Sequence, residues 1–334
     1  LGQSFGSLTS LHDSRKNSLY NTVSRIRHDV TPFEEAQTMA QITRREILLG
    51  GAVLGIGLAR RNSTLANGLL GESSEKTIRL GLVTYLWGRD WDLPTLIANC
   101  EKTGMEGVEL RTEHAHGVEP EIGPEKRAEV KKRFADTSVI LVGLGSNEAF
   151  HYPNPEQLKR AIERTKAFIK LSHDIGGLGV KVKPNDLPKN VTQEKTIEQI
   201  GKALNELAAF AADYGQRLRL EVHGQCAPLP IMRKIMDVAT HPNVGLCWNS
   251  NGEDLQGEGL EYNFNLVKDR LADTVHVREL NMGDYPYQKL FDLLVQNKYK
   301  GWVLLECRTD PADRVAALIE QRKVWEEMMA KARG

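Results

Sequence analysis

The chain has 334 residues, with 44 Lys and Arg balanced by 44 Asp and Glu, so its formal charge is zero. Such a balance leaves no electrostatic footprint for nucleic acid or an anionic membrane and points to a small neutral or weakly charged ligand. Its four cysteines, Cys100, Cys226, Cys247 and Cys307, show neither CxxC spacing nor a dense framework and read as buried thiols.

Residues 1–38 are polar and lack periodicity, which makes them disordered or upstream of a true start at Met39. The stretch Thr43-Arg44-Arg45-Glu46-Ile47-Leu48-Leu49 then sets two arginines directly before the apolar run ILLGGAVLGIGLA at 47–59. That run is shorter than the roughly 20 apolar residues of a membrane-spanning helix. It has the length of the apolar part of a secretion signal. With Thr64-Leu65-Ala66 as a cleavage site, residues 39–66 look like a twin-arginine signal peptide, which implies export to the periplasm or the extracellular space. Arg60 and Arg61 just after the run are unusual for a signal, and the competing reading is an amphipathic helix opened by a Thr cap.

From residue 78 onward, eight short runs rich in β-branched residues and Leu recur. They are IRLGLVTY (78–85), GVELR (107–111), VILVGLGSN (139–147), GVKVKP (179–184), RLRLEVHG (217–224), VGLCWN (244–249), TVHVREL (274–280) and GWVLLECR (301–308). Between them lie segments of helical period, clearest at 93–104, 155–175, 197–215 and 315–329. Gly104, Gly176 and Gly215 close three of these, as a left-handed C-cap requires. Parallel neighbours need a crossover of a dozen or more residues, which a helix supplies. Eight repeats of strand then helix therefore predict an α/β fold, a (β/α)8 TIM barrel over 76–331, with its ligand site at the C-terminal strand ends.

Strand side chains alternate between faces, so each run divides into a barrel-facing and a helix-facing set. With Leu218, Leu220 and Val222 against the helices, Glu221 and His223 face inward. The same parity pairs His276 with Arg278, Glu306 with Leu304 and Arg308, Cys247 with Asn249, Lys181 with Lys183, and Glu109 with Arg111. Barrel interiors are filled mainly by Val, Ile and Leu, and burying this many charges without partners is costly. The inward polar residues therefore mark a pocket. Trp87, Trp91 and Tyr85, after the first strand, have faces that can stack on a sugar ring; plain packing is the competing reading. His114 and His116 in TEHAHG lie at the pocket edge, touching substrate or simply solvated.

The ordered set of Glu in LEVHG, the residue after VGLCW, His in VHVRE and Glu in LLEC resembles the xylose isomerase-like barrel family over roughly residues 76–330. That family includes sugar isomerases and epimerases, inosose dehydratases, hydroxypyruvate isomerases and AP endonuclease-like nucleases. The resemblance implies one divalent metal ion, Mn, Mg, Co or Zn, held by Glu221, Asn249, His276 and Glu306. Hard carboxylate and amide oxygens with one imidazole suit such ions. Asn249 stands where the family usually has Asp, which removes one negative charge and lowers metal affinity. Gly252 stands where a His often follows, which argues against a multi-zinc nuclease arrangement.

The implied activity is that of a sugar isomerase or epimerase acting on a ketose or related carbohydrate through an enediolate. Glu221 and Glu306 are its acid–base pair, and His223, Lys183, Arg278, Arg111, Glu109 and Trp87 its substrate contacts. Two alternatives stay open: a lyase or dehydratase on a keto-sugar, inosose or 3-keto-glycoside, and a sugar-binding barrel without catalysis. The expected partner is a small carbohydrate, with no nucleic acid, no membrane beyond export, and a homo-oligomer left open.

Overall fold

The computed structural model describes residues 78–334, so the segments 1–38 and 39–66 read above lie outside the described residues. Eight strands alternate with helices. They are β1 (Arg79–Val83), β2 (Gly107–Arg111), β3 (Ile140–Ala149), β4 (Gly179–Lys183), β5 (Arg217–Glu221), β6 (Val244–Asn249), β7 (Leu271–Val277) and β8 (Trp302–Leu305). All neighbours pair in parallel and in chain order, and β8 returns to β1, closing the barrel. The fold is the expected (β/α)8 barrel.

The four helices read from periodicity are α1 (Leu93–Thr103), α3 (Pro155–Asp174), α4 (Gln193–Asp213) and α8 (Arg314–Arg333). Four more complete the ring: α2 (Pro124–Ala135), α5 (Leu229–Val238), α6 (Leu260–Val267) and α7 (Tyr287–Gln296). Local chemistry sets their ends. Asp92 accepts a hydrogen bond from the Thr95 amide, and Asn154 accepts from those of Glu156 and Gln157. Each satisfies amides that the first helical turn leaves unpaired. At the other end Gly104 adopts φ 69, and its N–H reaches the Cys100 and Glu101 carbonyls. Gly176 and Gly215 likewise take φ 83 and 63 just past α3 and α4, as the glycine pattern predicts.

The main core lies between strands and helices, and Leu218, Leu220 and Val222 belong to it, each fully buried. Inside the barrel the filling is uneven. Val83, Val142, Trp302 and Leu304, from β1, β3 and β8, form an apolar cluster. Opposite them, β4 to β7 contribute Lys181, Arg219, Glu221, Asn249 and His276, all buried. Polar residues thus take much of the interior where hydrophobic layers usually continue. The four cysteines are buried free thiols. No helix among the described residues is long and apolar enough to cross a membrane.

Candidate metal and acid–base site

The C-terminal ends of β2, β4, β5, β6, β7 and the chain just after β8 converge on one buried cluster of charges. Glu221, His276 and Glu306 each offer a ligand atom, and those atoms lie within 4.8 Å of one another. The imidazole Nδ1 of His276 is 3.7 Å from Glu221 Oε1 and 4.0 Å from Glu306 Oε2, while Nε2 is 3.4 Å from Glu109 Oε1. None of these contacts has hydrogen-bond geometry: both ring nitrogens of His276, and both oxygens of Glu109, are buried without a hydrogen-bond partner among the described residues. Buried polar atoms are normally satisfied. An orphaned imidazole facing two carboxylates fits a divalent cation, and the nitrogen and oxygen donor set matches Zn²⁺ or Mn²⁺ chemistry.

Asn249, the next residue in the set implied by the family resemblance, is beside the cluster but turned toward it through its amide nitrogen. Its Nδ2 donates to Glu221 Oε1 at 2.9 Å. The other Glu221 oxygen accepts from Lys181 Nζ at 2.7 Å. Strand parity places Lys181 inward, and the sequence assigns it no role. In register it stands opposite Arg219, two residues below Glu221, and its long side chain climbs the barrel axis to reach the carboxylate.

The two glutamates differ in electrostatics. Burial opposes ionisation of Glu221, but Lys181 and His276 outweigh it and hold the carboxyl well below the usual carboxylate range. Glu306 goes the other way: burial raises its pKa and the neighbouring Glu221 charge raises it further, against His276, Lys181 and Arg111. Two carboxyl groups driven apart in this manner divide acid and base roles. For His276, burial penalises the charged ring, and the Cys247 sulfur and Glu109 carboxylate overturn that penalty, keeping its pKa well above the ordinary histidine value.

Around the cluster runs a polar rim. Asn147 Oδ1 accepts from Arg111 Nη2 and Lys183 Nζ, both at 3.1 Å. Arg111 also lies 3.8 Å from Glu306 and stacks over Tyr85 with its guanidinium carbon 4.9 Å from the ring centre. Burial, then the charge of Lys181, brings the Lys183 pKa down to about 8. His223 Nδ1 meets Asn185 Oδ1 at 2.9 Å, and Arg278 Nη2 donates to Asn251 Oδ1 at 3.2 Å.

Three expectations need correction. Trp87 is only 2% exposed, sits in the hydrophobic core and donates its indole N–H to the Thr309 carbonyl, so it braces the segment after β8 and offers no stacking face. His116 is neither solvated nor open to a ligand: it is buried, with Nε2 at 2.8 Å from the Arg111 carbonyl and Nδ1 accepting from the Val118 amide. Arg308 is exposed, because β8 ends at Leu305 and strand alternation stops there.

Asp254, in the turn after β6, adds a pH dependence. It is fully buried, and its Oδ2 accepts from the Tyr285 hydroxyl at 2.6 Å and the Asn251 amide at 3.0 Å, while Oδ1 has no partner. Burial pushes its pKa up from 3.8 to about 7 against those hydrogen bonds. A raised carboxyl pKa means that the folded state keeps a proton the unfolded state has lost. Stability from Asp254 is then complete below about pH 4 and is lost as pH rises to about 7, by on the order of 4 kcal/mol at most. Urea unfolding at pH 4.5 and 8 is expected to show a smaller difference for Asp254→Asn than for wild type; equal differences would contradict it.

Surface hollows of about 280 Å³ beside Arg160 and Arg164, and about 420 Å³ beside Lys268 and Lys300, lie away from the strand-end cluster. The fold and the strand-end residues define a closed (β/α)8 barrel with a buried polar cluster at its C-terminal face. A family model for the xylose isomerase-like TIM barrel matches residues 97–330, and the chain belongs to that family. No curated protein sequence matches. Among solved structures, L-ribulose 3-epimerase superposes with a TM-score of 0.67 at 16% identity, covering 77% of this chain and 96% of that one. The apo 3-keto-D-glucoside 4-epimerase YcjR from E. coli gives 0.64 at 15%, covering 75% and 100%. The IolI protein with a bound zinc atom gives 0.65 at 16%, covering 76% and 99%. At these identities the likeness concerns the fold.

Proposed function

We propose that this barrel is a sugar isomerase or epimerase that moves a proton at the carbon next to a ketose or keto-glycoside carbonyl, passing through an enediolate. The observation that carries the reading is the buried triad of Glu221, His276 and Glu306 at the strand ends, with an imidazole that has no partner of its own. The kinds of sugar named for the superposed structures, ribulose and a 3-keto-glucoside, support the choice of substrate class.

Glu221, His276 and Glu306 would hold one divalent ion, with Asn249 able to add its amide oxygen. When bound, such an ion supplies Lewis-acid polarisation of a carbonyl. Glu306, with its raised pKa, exchanges the proton near neutral pH, and Glu221, kept ionised, is its counterpart. Arg111 and Lys183, tied together through Asn147, present donors to sugar hydroxyls or a developing oxyanion. The arginine pair Arg44-Arg45 before the apolar run supports export as part of the same proposal.

The test is metal analysis joined to isotope exchange. The protein purified without chelator is expected to carry about one Mn, Co, Zn or Mg ion per chain. In D₂O it is expected to introduce deuterium next to the carbonyl of a ketose or 3-keto-glycoside, followed by proton NMR. Release of an aglycone or water would convert the reading to a lyase. Saturable sugar binding without exchange in metal-loaded protein would overturn the enzyme reading altogether.

A further inference from the structure

Both oxygens of Glu221 are already engaged by this chain. Lys181 Nζ takes Oε2 at 2.7 Å, and Asn249 Nδ2 takes Oε1 at 2.9 Å. His276, in the same cluster, has no such partner on either nitrogen. Lys181 is itself wholly buried, and among the described residues Glu221 is the one carboxylate within 4.0 Å of its ammonium; the Ser146 carbonyl oxygen at 3.4 Å is its other neighbour. A buried ammonium is tolerated only when paired and hydrogen-bonded. Lys181 and Glu221 are therefore held together strongly, through Oε2, while Oε1 faces His276 Nδ1 at 3.7 Å.

Three carboxyl groups, Glu109, Glu221 and Glu306, face Lys181, Arg111 and the ring of His276, so the cluster already holds cationic groups of its own. Asn249 contributes no charge. A divalent ion entering while Lys181 stays in place would sit against an ammonium sharing its carboxylate, in a setting where like charges repel far more than in water. An ion drawn to Glu221 therefore works against the Lys181 ammonium on the same carboxylate.

We propose that Lys181 is the cation resident on Glu221, and that a divalent ion gains Glu221 by displacing the Lys181 ammonium. The inference rests on the metal reading above. It gives Lys181 a positioning role: without metal it keeps Glu221 aimed at the barrel axis, and its competition sets how tightly the site takes an ion.

The experiment is calorimetric titration of Mn²⁺ and Zn²⁺ into metal-stripped full-length wild type, Lys181→Met and Lys181→Gln, with thermal unfolding of each sample. Both variants are expected to bind at least tenfold more tightly than wild type and to gain more in melting temperature on adding metal. Equal or weaker binding by the variants overturns the inference while leaving the metal reading intact. No binding by any of the three overturns both. A crystal structure of wild type soaked in Zn²⁺ gives a readout independent of variant folding. Zinc on Glu221 with Lys181 moved off supports the proposal, and zinc on Glu221 with Lys181 still within hydrogen-bond distance overturns it.

Discussion

Glu306→Gln is expected to slow deuterium exchange into the substrate by about 10³-fold, within the span that a general acid or base contributes, while the protein stays folded. Glutamine keeps the size of the side chain and can still offer an oxygen to a cation, yet cannot take up or release a proton. Glu306 is the member of the pair whose burial and like-charged neighbour raise its pKa. Neutralising it removes repulsion against Glu221, so the melting temperature is expected to hold or rise slightly. Glu221→Gln behaves differently, because it strips Lys181 of its buried counter-charge and is expected to cost stability as well as activity. Exchange rates by NMR and calorimetric melting of the two variants side by side separate these outcomes. A Glu306→Gln protein within tenfold of the wild-type exchange rate would remove Glu306 from the chemistry.

Much of this site is legible in the sequence because a barrel converts a one-dimensional pattern into a radial one. Parity alone sends Glu221, Asn249, His276, Glu109 and Glu306 inward, and their places near strand ends send them to one face. Parity is silent about depth along the axis. Lys181 lies two residues below Glu221 in register, so nothing in GVKVKP says that its ammonium reaches the carboxylate on the next strand. Parity also fails once a strand stops, which is why Arg308 ends in solvent. Trp87 follows β1 closely enough to read as a mouth residue, but the chain turns it into the core and fastens it to Thr309. The four helices whose bounds the pattern leaves open are eight to twelve residues long. A window of two or three turns gives helical period too few repeats to stand out.

The other large effect belongs to Arg219, in the barrel interior two residues before Glu221 on the same face of β5. Its guanidinium is fully buried; Nε and Nη2 donate to the two oxygens of Asp273 at 2.8 and 2.9 Å, and Nη1 donates to the Val142 carbonyl at 2.9 Å. One side chain thereby ties β5 to β7 and β3 across the barrel. Glycine at 143 is required by this arrangement, since a Cβ there would come within 2.7 Å of Arg219 Nη1 and collide with the Gly179 carbonyl. Arg219→Met fills the space but leaves a carboxylate and a carbonyl without their donor. Breaking a buried pair costs about 3–5 kcal/mol. Because the Asp273 side chain is 33% exposed and can recruit water, the loss in urea unfolding is expected near the lower end, about 3 kcal/mol. Arg219→Lys cannot reproduce the two-pronged contact and the third bond together, so it is expected to recover only part. Adding Asp273→Asn to Arg219→Met is expected to restore stability, since the orphaned charge is then gone. If the double variant is no more stable than Arg219→Met alone, the cost lies in packing around the aliphatic stem and not in the unpaired carboxylate.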